Sequence, residues 1–92
     1  MAVNFRIASK ELNNQCTALK LFGDFDGSSA WELINVLDEN TRRDKKIAIN
    51  TDGLRAIHAF GLDIFLPKMS KLNKTWAKVQ VTGRFSDIFN DG

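Results

Sequence analysis

Between two short apolar strands, residues 17–22 and 47–49, the chain carries one clear helical stripe: Ala30, Leu33, Ile34 and Leu37 fall at i, i+3, i+4 and i+7. A helix that bridges two strands and buries one face brings those strands into one sheet in parallel. The rest of the chain repeats the pattern. Val3, Phe5 and Ile7 alternate with Asn4, Arg6 and Ala8, and Leu19 and Leu21 alternate with Lys20. The polar stretch Lys10–Gln15 between them reads as the reversal of an antiparallel hairpin.

Ser29 and Glu32 have the spacing of a capping box, in which each side chain satisfies a backbone N–H at a helix start. This places the first helix after a loop, Gly23-Asp24-Phe25-Asp26-Gly27. Trp31 lies beside the apolar stripe and reads as a packing residue. Leu54–Ile57 leads into a second helix, whose buried face is marked by Leu62, Phe65, Leu66, Met69 and Leu72. Pro67 interrupts that stripe. An interior proline removes one hydrogen bond and clashes with the preceding turn, so a kink near 63–64, or failing that a break, is expected. Lys78–Thr82 alternates as a last strand, Gly83 ends it, and Ser86–Phe89 forms a short terminal helix. The expected architecture is one α/β domain over residues 1–92. Its order is β-β-α-β-α-β-α, with a mixed sheet of about four strands, antiparallel in the N-terminal hairpin and largely parallel elsewhere.

A chain of 92 residues has room for one core. Its 13 basic and 11 acidic residues leave a net charge of +2, too little to argue for nucleic acid. The cationic run Thr41–Lys46 reads as a solvated connector. The single cysteine, Cys16, forms no internal disulfide, and one histidine is too few for a Cys/His zinc site. The first residues lack the apolar core of a signal peptide, and no apolar run approaches the ~20 residues of a membrane span. The expected setting is cytoplasmic, without metal or cofactor. Gly23, Gly27 and Gly53 do not have phosphate-loop spacing. Asp24 and Asp26 form an i, i+2 carboxylate pair, but no nucleophile or metal cluster accompanies them. Asp26 is better explained by charge stabilisation at a helix start.

Three separated segments carry a resemblance to one family. Leu21-Phe22-Gly23-Asp24-Phe25-Asp26 with Ser29-Ala30 and Glu32-Leu33, then Ile47–Asn50 with Gly53 and Ile57–Leu62, then Lys78–Gly83, resemble in order and spacing the STAS domains of anti-sigma factor antagonists. The resemblance runs from about residue 3 to residue 89. It implies a non-enzymatic interaction domain whose switch is phosphorylation of the first serine in D-S-S-G at the start of the second helix. There a phosphate adds about −1.5 to −2 charge and remakes the docking surface. In this chain the aspartate position is His58, the phosphorylated position is Ala59 and the second serine position is Phe60, while Gly61 and Leu62 remain. Ala59 has no hydroxyl, so the switch cannot operate at that position.

The resemblance therefore implies docking of a protein partner, an anti-sigma factor or kinase-fold regulator, without phosphorylation control there. Asp24, Asp26, Ser28, His58, Ala59, Phe60 and Gly61 are the expected contact residues. For Phe60, core packing and partner contact are both open. His58 reads as an ordinary loop histidine. The alternative function is a scaffold subunit of a stress-sensing or transporter-associated assembly.

Overall fold

The computed structural model describes residues 4–90. The elements are β1 (Arg6–Asn13), β2 (Cys16–Phe25), α1 (Gly27–Arg42), β3 (Lys46–Asn50), β4 (Leu54–Ile57), α2 (Ala59–Lys71), α3 (Asn73–Trp76), β5 (Val79–Thr82) and α4 (Ser86–Asn90). β1 runs antiparallel to β2, whereas β2–β3, β2–β4 and β3–β5 are parallel. The mixed sheet of the sequence reading is present, but it has five strands rather than about four.

The additional strand is Leu54–Ile57, read from sequence only as a lead into α2. β3 pairs with the lower part of β2, from Cys16 opposite Lys46 to Lys20 opposite Asn50, and β4 then pairs with Gly23–Phe25 farther along the same strand. β3 and β4 thus flank β2 in succession, interrupted at residues 51–53. Gly53 permits the interruption: a Cβ there would fall 2.6 Å from the Leu21 carbonyl oxygen.

The first reversal is also tighter than its composition suggests. β1 pairs from Arg6 opposite Phe22 to Asn13 opposite Cys16, so most of the polar run 10–15 is strand. The turn narrows to residues 14–15, where the Gln15 amide donates to Asn13 Oδ1 at 2.8 Å. Backbone ladder bonds to β2 here outweigh the turn preference of the side chains. Val3, expected in this strand, lies outside the described residues.

One face of the sheet carries Leu19, Leu21, Ile47, Ile49 and Val81, all buried against helix residues Leu33, Leu37, Phe65 and Met69 in one continuous core. Phe25 at the end of β2 is its hub. Its ring meets those of Phe5, Phe65 and Phe89 edge-on at 6.0, 5.7 and 5.2 Å. Edge-to-face pairs of this kind add about 0.5–1.5 kcal/mol each beyond area burial. Because Phe25 is anchored, its neighbours Asp24 and Asp26 are held in fixed positions at the strand end.

α2 runs unbroken from Ala59 to Lys71 through Pro67, which lies on its exposed side. A break at Pro67, the alternative to the expected kink, does not occur. Of the stripe read from sequence, Phe65 and Met69 are fully buried, and Leu62, Leu66 and Leu72 are half-buried against the core. Leu72 ends the helix, and the single turn α3 follows.

Candidate functional site

The helix starts of α1 and α2 lie side by side at one end of the sheet. The cap of α1 is not the expected Ser29–Glu32 box. It is Asp26, whose carboxylate accepts from the Ser29 amide at 3.0 Å, so the helix begins at Gly27. Ser29 is instead an internal brace. Buried to 1% exposure, its hydroxyl stands 2.9 Å from the Asp24 carbonyl and 3.0 Å from Asp26 Oδ1. The Ser29 amide N–H, and secondarily its hydroxyl, hold the Asp26 carboxyl below the usual aspartate range. Charge stabilisation at a helix start, the sequence reading for Asp26, is thus realised as a direct side-chain cap.

α2 starts differently. Its cap is His58, exposed and extended (φ −91°, ψ 138°), with no side-chain hydrogen bond to the helix. Ala59 is therefore the first helical residue and not the cap. The His58 amide donates to the Phe25 carbonyl at 2.9 Å, which fixes α2 to the end of β2. Gly61 is buried against the other helix start: a Cβ would fall 2.8 Å from the Asp26 carbonyl oxygen. No larger residue fits there without separating the two helices.

Asp24 turns away from this junction. Its carboxylate forms a two-point pair with Arg55 of β4, at 3.0 and 2.8 Å, and the bond to Arg55 lowers the Asp24 pKa. Asp24 and Asp26 are each engaged in structural bonds. Among the described residues no group of His, Cys, Asp or Glu is placed to hold a metal ion.

The residues left open to contact form an apolar groove between α1 and α2. Phe60 is 68% exposed and Trp31 49% exposed. With Ile64, Gly27, Ser28 and Asp26 they line a depression of about 380 Å³. A second one of about 230 Å³ shares Trp31 and Ile64 and continues to Pro67, Lys68 and Lys71. Lys68 Nζ lies 5.9 Å from the Trp31 ring centre. The structure therefore places Phe60 outside the core, and Trp31, expected to pack, on the surface beside it.

Of the contact residues expected from sequence, Asp26, Ser28 and Phe60 line the groove. His58 and Ala59 are exposed next to it, Gly61 supports it from behind, and Asp24 does not reach it. Trp31, Ile64 and Arg55 are not among the contact residues expected from the sequence. Trp31 did carry a signal, since it is out of phase with the Ala30–Leu37 stripe.

Neither a protein-family model nor a curated protein sequence matches the chain. Solved structures do. The anti-sigma factor antagonist SpoIIAA in its unphosphorylated form superposes with a TM-score of 0.65 at 14% identity, over 95% of this chain and 84% of that one. Mglu superposes with a TM-score of 0.62 at 14% identity, over 84% of this chain and 19% of Mglu. With its antiparallel hairpin, parallel strands and paired helix starts, the chain has the STAS fold, the fold of an anti-sigma factor antagonist.

Proposed function

We propose that this chain is a non-enzymatic protein-docking module that engages a regulatory partner through the groove between α1 and α2, without phosphorylation control at the start of α2. The observation that carries the reading is Phe60, 68% exposed in the first turn of α2 beside Ala59. A large aromatic ring presented to solvent next to a half-exposed tryptophan is a typical anchor pair for a protein interface. At this place the STAS resemblance puts a switchable serine and a polar neighbour. An apolar patch there suits a permanent contact better than a switched one.

The fold likeness to SpoIIAA favours an anti-sigma factor or another kinase-fold regulator as the partner. Ala59 would then stand for the unmodified, binding-competent state. No catalytic role is assigned to Asp24 or Asp26, whose carboxylates hold Arg55 and the α1 cap. No helix among the described residues is long and apolar enough to cross a membrane.

The reading is tested by purifying the chain with its partner from the native cell, incubating the complex with Mg-ATP, and analysing both proteins by mass spectrometry. The complex is expected to persist with no phosphate on this chain. ATP-dependent release with phosphate on an accessible residue such as the exposed Ser28 overturns it. Gel filtration of Phe60→Asp separates docking from the scaffold alternative: docking loses the partner, whereas a scaffold loses a homomeric assembly.

A further inference from the structure

Among the described residues, no helix covers the sheet face opposite the core. Ala48, in the middle of the sheet, is only half-buried, and Lys20 and Gln80 on its neighbouring strands are exposed. Strand register places Arg6, Lys10, Lys20 and Lys46 on this face. Lys20 lies opposite Ala8, so it sits diagonally between Arg6 and Lys10, with backbone separations of about 7–8 Å on each side. No carboxylate among the described residues lies within ion-pair distance of any of the four cations. The one strand carboxylate on this face is Asp24, at its far end, and Arg55 neutralises it. A chain with a net charge of only +2 thus concentrates unneutralised positive charge on one flat surface.

The relief of the surface narrows what it can bind. Ala18 and Ala48 are directly paired and form a low floor in its centre, with the cations standing around it. Single-stranded nucleic acid on a sheet stacks its bases on exposed rings. Here the one aromatic side chain, Phe22, already has the Arg6 guanidinium 5.1 Å from its ring centre. A membrane-binding face inserts several projecting apolar side chains; the central alanines are recessed between lysines, and the exposed Leu12 stands at the hairpin end of β1, away from that floor. A protein helix does fit: it can approach closely over the alanines while acidic side chains on its flanks reach the cations.

We propose that this open face is a second docking surface, for an acidic helical element of a partner protein. It lies on the opposite side of the sheet from the Phe60 groove and does not depend on it. Occupation of both faces at once would let the domain bridge two protein elements.

The test uses the intact chain and a glutamate-rich, alanine-based helical peptide as probe, followed by NMR amide shifts at low and physiological salt. A single-stranded oligonucleotide and phosphatidylserine-containing vesicles are titrated in parallel. Peptide binding is expected to perturb Ala18 and Ala48 and to weaken with salt. It should fall at least tenfold in Lys10→Glu/Lys20→Glu, and much less in Lys68→Glu/Lys71→Glu, which makes the same change in net charge on the other side of the sheet. Equal losses in the two variants, no binding by the wild-type chain, or stronger binding of the oligonucleotide or the vesicles at this face overturns the proposal.

Discussion

The Phe60 ring lies so close to Gly27 that a Cβ on residue 27 would fall 2.8 Å from its Cε2. The ring of α2 thus rests on the first turn of α1, and the absence of a side chain at residue 27 shapes the groove. Since the ring is mostly exposed, it can swing aside without moving backbone. Gly27→Ala is expected to leave the folding free energy within about 0.5 kcal/mol of wild type, as surface changes usually do. It should nevertheless shift the Phe60 ring and Trp31 indole NMR resonances and weaken partner binding.

Gly61 makes the opposite kind of contact. Its added Cβ would meet the carbonyl oxygen and carbon of Asp26 at 2.8 and 2.9 Å, and both are backbone atoms. Gly61→Ala is therefore expected to destabilise the fold by about 1–3 kcal/mol, the usual range for overpacking, despite alanine's better helix propensity. Urea unfolding measures this directly. An unchanged midpoint would show that the helix starts separate freely.

The α1 cap gives a pH signature. The Asp26 carboxyl is held below its ordinary value chiefly by the Ser29 amide N–H. A folded-state pKa below the unfolded one means that the charged cap stabilises the fold fully above about pH 4, the ordinary aspartate value. That contribution is lost as pH falls through the lowered folded value. Asp26→Ala is expected to cost about 1 kcal/mol at pH 7, from loss of the cap acceptor. Asp26→Asn keeps an acceptor and should cost less at pH 7, while flattening the acid limb of the stability profile. Chemical unfolding between pH 2 and pH 7 separates the two.

The α2 cap is the weak one, and it can be improved. His58 occupies the cap position without bonding the helix. His58→Asn supplies an acceptor with no added charge, and a gain of about 0.5–1 kcal/mol is expected. His58→Asp should gain less, because the new carboxylate would join Asp24 and Asp26 at the same end of the sheet. A thermal melt that ranks Asp above Asn would contradict this account of the site's electrostatics.

These junctions explain what could be read from the sequence and what could not. The stripe Ala30–Leu37 and the alternation around Leu19 and Leu21 fixed the α/β layering, because burial on one face leaves a periodic trace. The family-like order of segments located the start of α2 at Ile57–Leu62. Leu54–Ile57 left too short a trace: four residues followed directly by a helical stripe read as its approach, and only pairing with Gly23–Phe25 makes them a strand. The cap was misplaced for a related reason. Ser29 and Glu32 have capping-box spacing, but Asp26 lies three residues before Ser29 and takes its amide first. Phe60 and Trp31 could not be assigned from period alone, since their exposure depends on how closely α1 and α2 approach at Gly27 and Gly61.

The central claim is that the groove at Phe60 binds a partner permanently. It is tested most directly by calorimetric titration of the purified chain with the regulator it retains in its native cell, with and without Mg-ATP, comparing wild type with Phe60→Asp. The account expects identical wild-type affinity in both conditions. It also expects at least a hundredfold loss in Phe60→Asp, whose fold, with the side chain 68% exposed, should remain intact. Wild-type affinity that collapses on addition of ATP, or a Phe60→Asp variant that binds as well as wild type, would contradict it.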